Sequence, residues 1–164
     1  ILAQAQPVPV GDEGNRAIDP RNAYLMDSML RDVAIFGTAA KASVQLKRRD
    51  LAGKTGTTND YIDAWFCGYQ ATVVGCAWVG FDQPKKLGSG ETGGLVSLPI
   101  WINYMHTALK DVPESFQPAP EGLVSVDVPS ERSKTGTAKE FFYSENVPAE
   151  VPPEPKDDGS KPVD

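Results

Sequence analysis

The stretch Lys54-Thr55-Gly56-Thr57-Thr58 decides how the rest of the chain is interpreted. It sets an ammonium, hydroxyl groups and a residue without a Cβ in direct succession, which suits the binding of an anion and of a developing oxyanion. If residues 51–57 form a strand, Thr55 and Thr57 point toward a cleft on one face, and Lys54 points to the other. Gly56 would let a substrate backbone approach closely, and the Thr57 amide would be available as an oxyanion donor.

Two simpler interpretations compete for this stretch. Gly53-Lys54-Thr55 matches the end of a phosphate-binding P-loop, but that motif requires glycine where this sequence has Arg48, so the P-loop is excluded. An isolated K-T-G tripeptide is also compatible with an edge strand whose polar residues face water. The surrounding sequence must therefore decide.

The runs on both sides of the stretch favour a third interpretation. They are Leu51–Asp60, Asp63–Phe66, Gly68-Tyr69, Trp78–Asp82, Glu91–Gly94 and Leu98–Trp101, preceded by Asn22–Met26 and Gly37–Ala39. In this order they closely resemble the transpeptidase domain of class A penicillin-binding proteins, in which a K-T-G element accompanies S-x-x-K and S-x-N motifs. The resemblance covers residues 16–110.

The resemblance implies a fold and a reaction. The fold is the α/β (α+β) penicillin-binding and β-lactamase-like one, an antiparallel sheet flanked by helices, of which this chain would be the C-terminal portion. The reaction is peptidoglycan cross-linking, in which a serine ester carries the acyl group from a D-Ala-D-Ala stem peptide to an acceptor amine. Class A members also carry a glycosyltransferase domain and a membrane anchor, and work on the periplasmic, outer face of the bacterial cytoplasmic membrane.

The resemblance also implies roles for the five residues of the stretch. Lys54 and Thr57 would be catalytic, and Lys54, Thr55, Gly56, Thr57 and Thr58 would bind substrate. Lys54 would place positive charge near the substrate carboxylate, which the Thr55 and Thr57 hydroxyls would hold in a stem peptide or a β-lactam antibiotic. Gly56 would permit close approach, and the Thr57 amide would complete the oxyanion hole. No metal and no cofactor are expected.

The nucleophile of this chemistry is missing from the sequence. No serine has a lysine three positions later: Ser28 is followed at that spacing by Arg31, and Thr38 and Lys41 have the spacing with the wrong hydroxyl. The expected partner is therefore the N-terminal portion of the same enzyme, carrying the S-x-x-K and S-x-N motifs. A second K-T-G at residues 134–136 and the S-x-N triplet at residues 144–146 lack suitable surroundings, and no catalysis is expected of them.

Two alternative functions remain open at this point. A serine β-lactamase shares the K-T-G logic but transfers the acyl group to water, and its deacylation rate would distinguish it. A non-enzymatic β-lactam-sensing or cell-wall-binding module would bind or be acylated without transferring to an amine.

Composition limits the class of partner. The 164 residues carry a formal net charge of −6 and a pI near 4.8, which argues against a nucleic-acid partner. No apolar run has the 18 or more residues of a membrane span, and no signal-peptide pattern is found. Two cysteines make neither a disulfide framework nor a zinc site.

The predicted organisation has four segments. Residues 1–15 read as a loop or trimmed end, 16–110 as the transpeptidase part, 111–144 as an irregular extension with a possible strand at 123–128, and 145–164 as an acidic, Pro-rich disordered tail. In the second segment, Asp19-Pro20 predicts a helix start and Gly37 its stop. The apolar stripe of that helix, Met26, Met29, Leu30 and Val33, is expected in the core, and a short helical turn is expected at residues 38–42.

Two strands joined by a short connection are predicted at residues 64–70 and 73–81. A two-residue turn sets Gln70 opposite Val73 and therefore Cys67 opposite Cys76. The usual Cβ separation of opposed residues, about 4.5–5.5 Å, is slightly long for a disulfide, so two buried thiols are favoured and a disulfide is the alternative.

Several other aromatic and charged residues are expected to have structural and not catalytic roles. A sheet-core position is expected for Trp65, Phe66, Trp78 and Phe81, and loop-fixing roles for Asp60 and Asp63. A helix is predicted from Leu98-Pro99 with one apolar face comprising Leu98, Trp101, Ile102, Met105, Ala108 and Leu109, and His106 at its surface. The charged run at residues 47–50 is interpreted as a solvated strand entry, with attraction of an acidic substrate as the alternative.

Overall fold

The computed structural model describes residues 16–130 and 136–149. Three helices and five strands are found there: α1 Pro20–Ile35, α2 Ala40–Leu46, β1 Ala52–Thr57, β2 Ala64–Gln70, β3 Val73–Val79, α3 Leu98–Ala108, β4 Leu123–Pro129 and β5 Thr137–Tyr143. The predicted loop 1–15, the larger part of the predicted tail and most of the second K-T-G copy lie outside the described residues. Within them, no helix has the length and apolar character needed to cross a lipid bilayer.

Helix α1 begins and ends where the sequence predicts. The Asp19 side chain accepts a hydrogen bond of 2.8 Å from the Arg21 amide, and Pro20 occupies the first turn. The predicted core stripe is partly wrong, because Met26 is 46% exposed and Met29 is 55% exposed, although Val33 packs against the core. Periodicity shows that a face is apolar, but the described residues contain nothing that covers these two methionines.

The first sheet has the strand order β1-β2-β3, with antiparallel pairing throughout. The predicted hairpin register is confirmed: Gln70 pairs with Val73 and Cys67 pairs with Cys76. The two-residue connection does not contain the Asn-Gly sequence that is common in such turns. The buried Gln70 side chain stabilises the turn instead. Its Oε1 accepts hydrogen bonds from the Thr72 amide and hydroxyl at 3.0 and 2.9 Å.

Cys67 and Cys76 form a disulfide, so the expectation of two free thiols is wrong. Backbone hydrogen bonding explains why. The Thr58 amide donates to the Asp63 carbonyl, and strict alternation along β1 and β2 then points the backbone polar groups of Cys67 toward β1. Cys67 and Cys76 are thus a non-hydrogen-bonded pair, the kind in which strands come closest, and their Cα atoms lie 4.1 Å apart.

The core is built where α3 crosses a row of glycines in the sheet. Gly53, Gly68 and Gly75 lie side by side across the three strands, and the Trp101 ring lies against this row. Its Nε1 donates to the carbonyl oxygens of Gly75 and Gly68 at 3.1 and 3.3 Å, and the ring meets Phe66 edge-on at 4.9 Å between centroids.

The predicted apolar face of α3 is confirmed. Leu98, Trp101, Ile102, Met105 and Leu109 are all buried, and Ala108 is half-buried. His106 is exposed, as expected for a residue off this face.

Only one of the four aromatic residues assigned to the sheet core is buried. Phe66 has no exposed surface, whereas Trp65, Trp78 and Phe81 are 42%, 45% and 42% exposed. Side-chain alternation is the reason for the two tryptophans, since Trp65 and Trp78 are opposed on the face of the sheet that α3 does not cover.

Two residues of the charged run before β1, Arg48 and Asp50, form a buried anchor, which corrects the prediction of a solvated strand entry for them, whereas Lys47 and Arg49 are exposed as predicted. The Asp50 carboxylate is fully buried and pairs with Arg48 at 2.8 Å. It also accepts hydrogen bonds from the Gln70 side chain and the Ser115 amide, while Arg48 donates to the carbonyls of Val112 and Pro113. The network ties the irregular segment after α3 to the entry of β1.

The segment after α3 ends in a second, two-stranded sheet. The predicted strand at residues 123–128 is confirmed as β4, and β5 is an addition that the sequence did not indicate. This hairpin contacts α1: Phe141 meets Tyr24 edge-on at 5.0 Å, and Arg21 lies 4.7 Å from the Tyr143 ring centre. Residues 144–146 form a single helical turn after β5.

Candidate functional site

The cavity beside β1 brings two residues of the decisive stretch together. Thr55 and Thr57 both line it, as their predicted shared face requires, and its volume is about 290 Å³. The remaining lining residues come from two other places in the chain: Thr38 and Lys41 from the start of α2, and Thr92, Gly94 and Leu95 from the loop before α3. Strand β1 is an edge strand among the described residues, so this side of it is open.

Hydrogen bonds fix the hydroxyl groups of the cavity. The Thr55 and Thr38 hydroxyl oxygens lie 3.0 Å apart, and the Thr57 hydroxyl accepts a bond of 3.1 Å from the Gly93 amide. Lys54 emerges on the opposite face, as predicted, yet its ammonium reaches round the strand to the Thr55 carbonyl and hydroxyl at 3.0 and 3.4 Å.

Backbone alternation orients the amides of β1. The bond of 3.0 Å from the Thr58 amide to the Asp63 carbonyl marks a hydrogen-bonded pair in the β1–β2 register. Because such pairs alternate with non-bonded ones along an antiparallel ladder, the Gly56 amide faces β2 and the Thr57 amide faces away from it. The Thr57 amide is therefore directed to the open side of the strand.

The glycine-rich loop before α3 lies directly against β1. A Cβ on Gly93 would fall 2.6 Å from the Gly56 carbonyl oxygen and still closer to that of Trp65, so no side chain fits there. This contact brings Thr92 and Leu95 to the cavity. The sequence does not indicate Thr38, Lys41 or Thr92 as site residues, although Thr38 and Thr92 lie in the runs at residues 37–39 and 91–94 that carry the resemblance.

The turn after β1 has an unusual backbone conformation that bonds to the following loop hold in place. Asp60 and Tyr61 both have positive φ, 61° and 55°, a conformation that costs energy for residues other than glycine. Two bonds to the following loop hold it: Lys86 pairs with Asp60 at 2.8 Å, and the Leu87 amide donates to the Tyr61 carbonyl at 2.8 Å. The hydrogen bond from Lys86 lowers the pKa of Asp60.

Asp63 and Thr58 belong to the same turn. Asp63 accepts from the Trp78 indole at 2.9 Å, so both aspartates fix the loop as the sequence predicted. The Thr58 hydroxyl accepts from the Asp63 amide at 2.8 Å. Thr58 lies outside the cavity that holds Thr55, and lines with Thr57 a neighbouring depression of about 280 Å³.

The cavity is electropositive. Its lining includes the Lys41 side chain, Lys54 lies at its rim against Thr55, and no aspartate or glutamate is among its lining residues. Residues 16–130 and 136–149 contain no cluster of three or more His, Cys, Asp or Glu side chains that could hold a metal ion. The arrangement of ammonium groups, hydroxyls and an outward amide is suited to a carboxylate and an adjacent polarised carbonyl.

Three curated proteins to which this chain is similar have the same name. No protein-family model matches the sequence. The chain is 48% identical over 157 residues to penicillin-binding protein 1A of Pseudomonas aeruginosa, a match that covers 92% of this chain and 19% of that protein. It is also 48% identical over 125 residues to penicillin-binding protein 1A of Neisseria lactamica and of Neisseria gonorrhoeae, covering 76% of this chain and 16% of each relative.

A solved structure agrees with these relatives. The crystal structure of penicillin-binding protein 1A from Haemophilus influenzae superposes with a TM-score of 0.70 at 35% identity, over 84% of this chain and 22% of that one. The chain thus spans less than a quarter of the length of each of these proteins. It belongs to the class A penicillin-binding protein family and carries part of the transpeptidase-domain fold.

Proposed function

We propose that this chain forms one wall of the active site of a peptidoglycan D,D-transpeptidase. The observation that carries the proposal is the cavity at the open edge of β1, where the Thr55 and Thr57 hydroxyls and the Lys54 ammonium converge. Three donor groups within one short strand suit a substrate that ends in a D-Ala-D-Ala carboxylate, or a β-lactam that imitates it.

Each residue of the stretch has a part in the proposed reaction. The Lys54 ammonium and the Thr55 hydroxyl bind the substrate carboxylate, with the Thr57 hydroxyl beside them. The Thr57 amide, directed away from β2, donates to the oxyanion that forms when the scissile carbonyl is attacked. Gly56 adds no side chain between Thr55 and Thr57, and a Cβ there would meet the Trp65 side chain at 3.3 Å, on the face of β1 opposite the cavity. Thr58 contributes by holding the turn that follows, since its hydroxyl is bonded to the Asp63 amide.

The nucleophile comes from elsewhere in the proposed enzyme. No serine lines the cavity, and the sequence has no S-x-x-K motif. A serine and its lysine base, carried by the N-terminal portion of the same enzyme, would stand across the cleft from β1. The serine hydroxyl would give its proton to the lysine and attack the carbonyl of the penultimate D-alanine. The C–N bond would then break, and the terminal D-alanine would leave after taking that proton from the lysine. The acyl group would then pass to an acceptor amine on the outer side of the bacterial cytoplasmic membrane.

Labelling with a fluorescent penicillin tests the proposal. The full-length enzyme is incubated with the probe, digested between the two portions, and resolved on a denaturing gel. Label on the N-terminal fragment, with this chain unlabelled, is expected. Label on this chain would contradict the assignment of the nucleophile, and a folded enzyme without label would contradict the transpeptidase chemistry.

The fate of the acyl group separates transfer from the alternatives. A transpeptidase holds a β-lactam acyl group for long periods and passes a stem-peptide acyl group to an amine. Rapid release of the fluorescent acyl group to water would instead identify a β-lactamase. Stable labelling without any amine product from a stem-peptide donor would identify a sensing module.

A further inference from the structure

Two residues outside the decisive stretch reach the same cavity. Thr38 follows α1, and Lys41 lies in the first turn of α2. Both line the cavity with Thr55 and Thr57, and the Thr38 and Thr55 hydroxyl oxygens are 3.0 Å apart. The connection between the two helices therefore forms the wall that faces β1.

The wall formed by Thr38 and Lys41 carries a positive charge without a neighbouring negative one. Lys41 makes no ion pair with any carboxylate in the described ranges, and the cavity lining contains no acidic side chain. Four threonines line the same space, namely Thr38, Thr55, Thr57 and Thr92, and the Thr57 hydroxyl accepts a hydrogen bond there from the Gly93 amide. A site with cations and hydroxyl donors and without acidic groups favours an anionic ligand group.

The contact between the Thr38 and Thr55 hydroxyls affects which way the Thr55 hydroxyl proton points. A threonine hydroxyl has one proton to donate and lone pairs that accept. The Lys54 ammonium donates to the Thr55 oxygen at 3.4 Å. If the Thr38 hydroxyl donates to the same oxygen, the Thr55 proton is left to point into the cavity. In that arrangement Thr38 would set Thr55 as a donor toward an incoming anion.

We propose that Thr38 and Lys41 complete the carboxylate-binding half of the transpeptidase site. Lys41 is a second binding cation for the substrate carboxylate, opposite Lys54, and Thr38 is a positioning residue that acts through the Thr55 hydroxyl. This inference rests on the proposed function and adds two residues to the part of the site that would hold the carboxylate of the acyl donor.

The test compares two probes in the full-length enzyme. One is benzylpenicillin, which has a free carboxylate, and the other is its methyl ester, which has none. Second-order acylation rate constants are measured for wild type, Lys41→Met and Lys41→Arg. The matched control is Lys110→Met, which removes the same charge from an exposed lysine outside the cavity.

Loss of the Lys41 cation should affect only the anionic probe. Because a solvent-accessible ion pair contributes up to about 1 kcal/mol, Lys41→Met should slow acylation by benzylpenicillin about fivefold. It should leave the ester rate unchanged, and Lys41→Arg should retain the wild-type rates. An equal loss with both probes, no loss with either, or the same loss in Lys110→Met would overturn the role of Lys41.

Thr38 is tested by removing and restoring its hydroxyl. Thr38→Val should slow acylation by the free acid more than by the ester, and Thr38→Ser should restore the rate. Failure of serine to restore it would show that Thr38 acts only through packing, and would overturn the positioning role.

The experiments distinguish failure of the transpeptidase proposal from failure of the proposal for Lys41. If wild type is acylated by neither probe, the transpeptidase function is wrong, and equilibrium binding of N-acetyl-D-Ala-D-Ala then decides the role of Lys41. Binding about fivefold weaker in Lys41→Met supports the anion site, whereas equal binding in the two proteins overturns it.

Discussion

The indole nitrogen of Trp101 lies 3.1 Å from the carbonyl oxygen of Gly75 and donates a hydrogen bond to it. This bond holds α3 against the row of glycines in the sheet. It also fixes the height of the helix above β1, and with it the position of the loop that brings Gly93 to the Thr57 hydroxyl. Core packing and site geometry therefore depend on the same contact surface.

The glycine row gives a stability prediction with an internal control. A Cβ on Gly68 would meet the Ala52 carbonyl oxygen at 2.8 Å and the Trp101 ring at 2.9 Å, whereas one on Gly75 would find its nearest atom at 3.5 Å. Gly68→Ala should therefore lower the free energy of unfolding by about 1–3 kcal/mol through overpacking. Gly75→Ala should change it by less than about 1 kcal/mol in either direction. Urea unfolding followed by tryptophan fluorescence measures both, and equal effects would contradict the packing described.

The buried ion pair of Arg48 and Asp50 gives a second prediction. Asp50→Asn removes the charge that compensates the nearly buried Arg48, so the free energy of unfolding should fall by about 3–5 kcal/mol at pH 7. Lys86→Met, which breaks the exposed pair with Asp60, should have little measurable effect on the free energy of unfolding. Urea denaturation of the two variants tests this contrast.

The same pair predicts a pH dependence. Burial raises the pKa of Asp50, but hydrogen bonds from Arg48, Gln70 and the Ser115 amide outweigh burial and hold the pKa below its usual value of 3.8. A lowered folded-state pKa means that the stabilisation is complete above pH 3.8 and is lost as pH falls through the folded-state pKa. The stability difference between wild type and Asp50→Asn should therefore shrink below pH 3.8. A difference that grows on acidification would contradict this.

The disulfide between Cys67 and Cys76 gives a fourth prediction. It closes a loop of about ten residues, for which restriction of the unfolded chain contributes about 2.5 kcal/mol. Cys67→Ala combined with Cys76→Ala should lower the free energy of unfolding by about this amount. Dithiothreitol should destabilise wild type similarly and leave the double variant unaffected. A wild-type stability that is insensitive to reductant would contradict the bond.

The outward amide of Thr57 gives a prediction about acylation. Thr57→Pro deletes that amide without removing a β1–β2 hydrogen bond, because the amide faces away from β2. Acylation of the assembled enzyme by penicillin should fall about 10²- to 10³-fold, the usual effect of losing one oxyanion donor. Thr57→Val keeps the amide and loses the hydroxyl, so it should retain far more activity. Unchanged acylation in Thr57→Pro would refute the oxyanion role.

Local sequence patterns were sufficient to predict the elements around the site and the candidate stretch. Asp19, Pro20 and Gly37 predicted the bounds of α1, because capping and helix termination depend on the residues at the helix end. The length of one turn predicted the register that pairs Cys67 with Cys76, because antiparallel pairing follows from the connection. The runs around Lys54 indicated the family.

Features that depend on residues far away in sequence could not be predicted and follow from the packing of the folded chain. Whether Cys67 and Cys76 bond depended on which strand the Cys67 backbone faces, and the burial of Asp50 depended on the segment after α3. The exposure of Met26 and Trp65 depended on which surfaces the rest of the described chain covers. Thr38 and Lys41 entered the site for the same reason. A side chain's partners are set by the three-dimensional packing of segments far apart in sequence, and no local pattern contains that information.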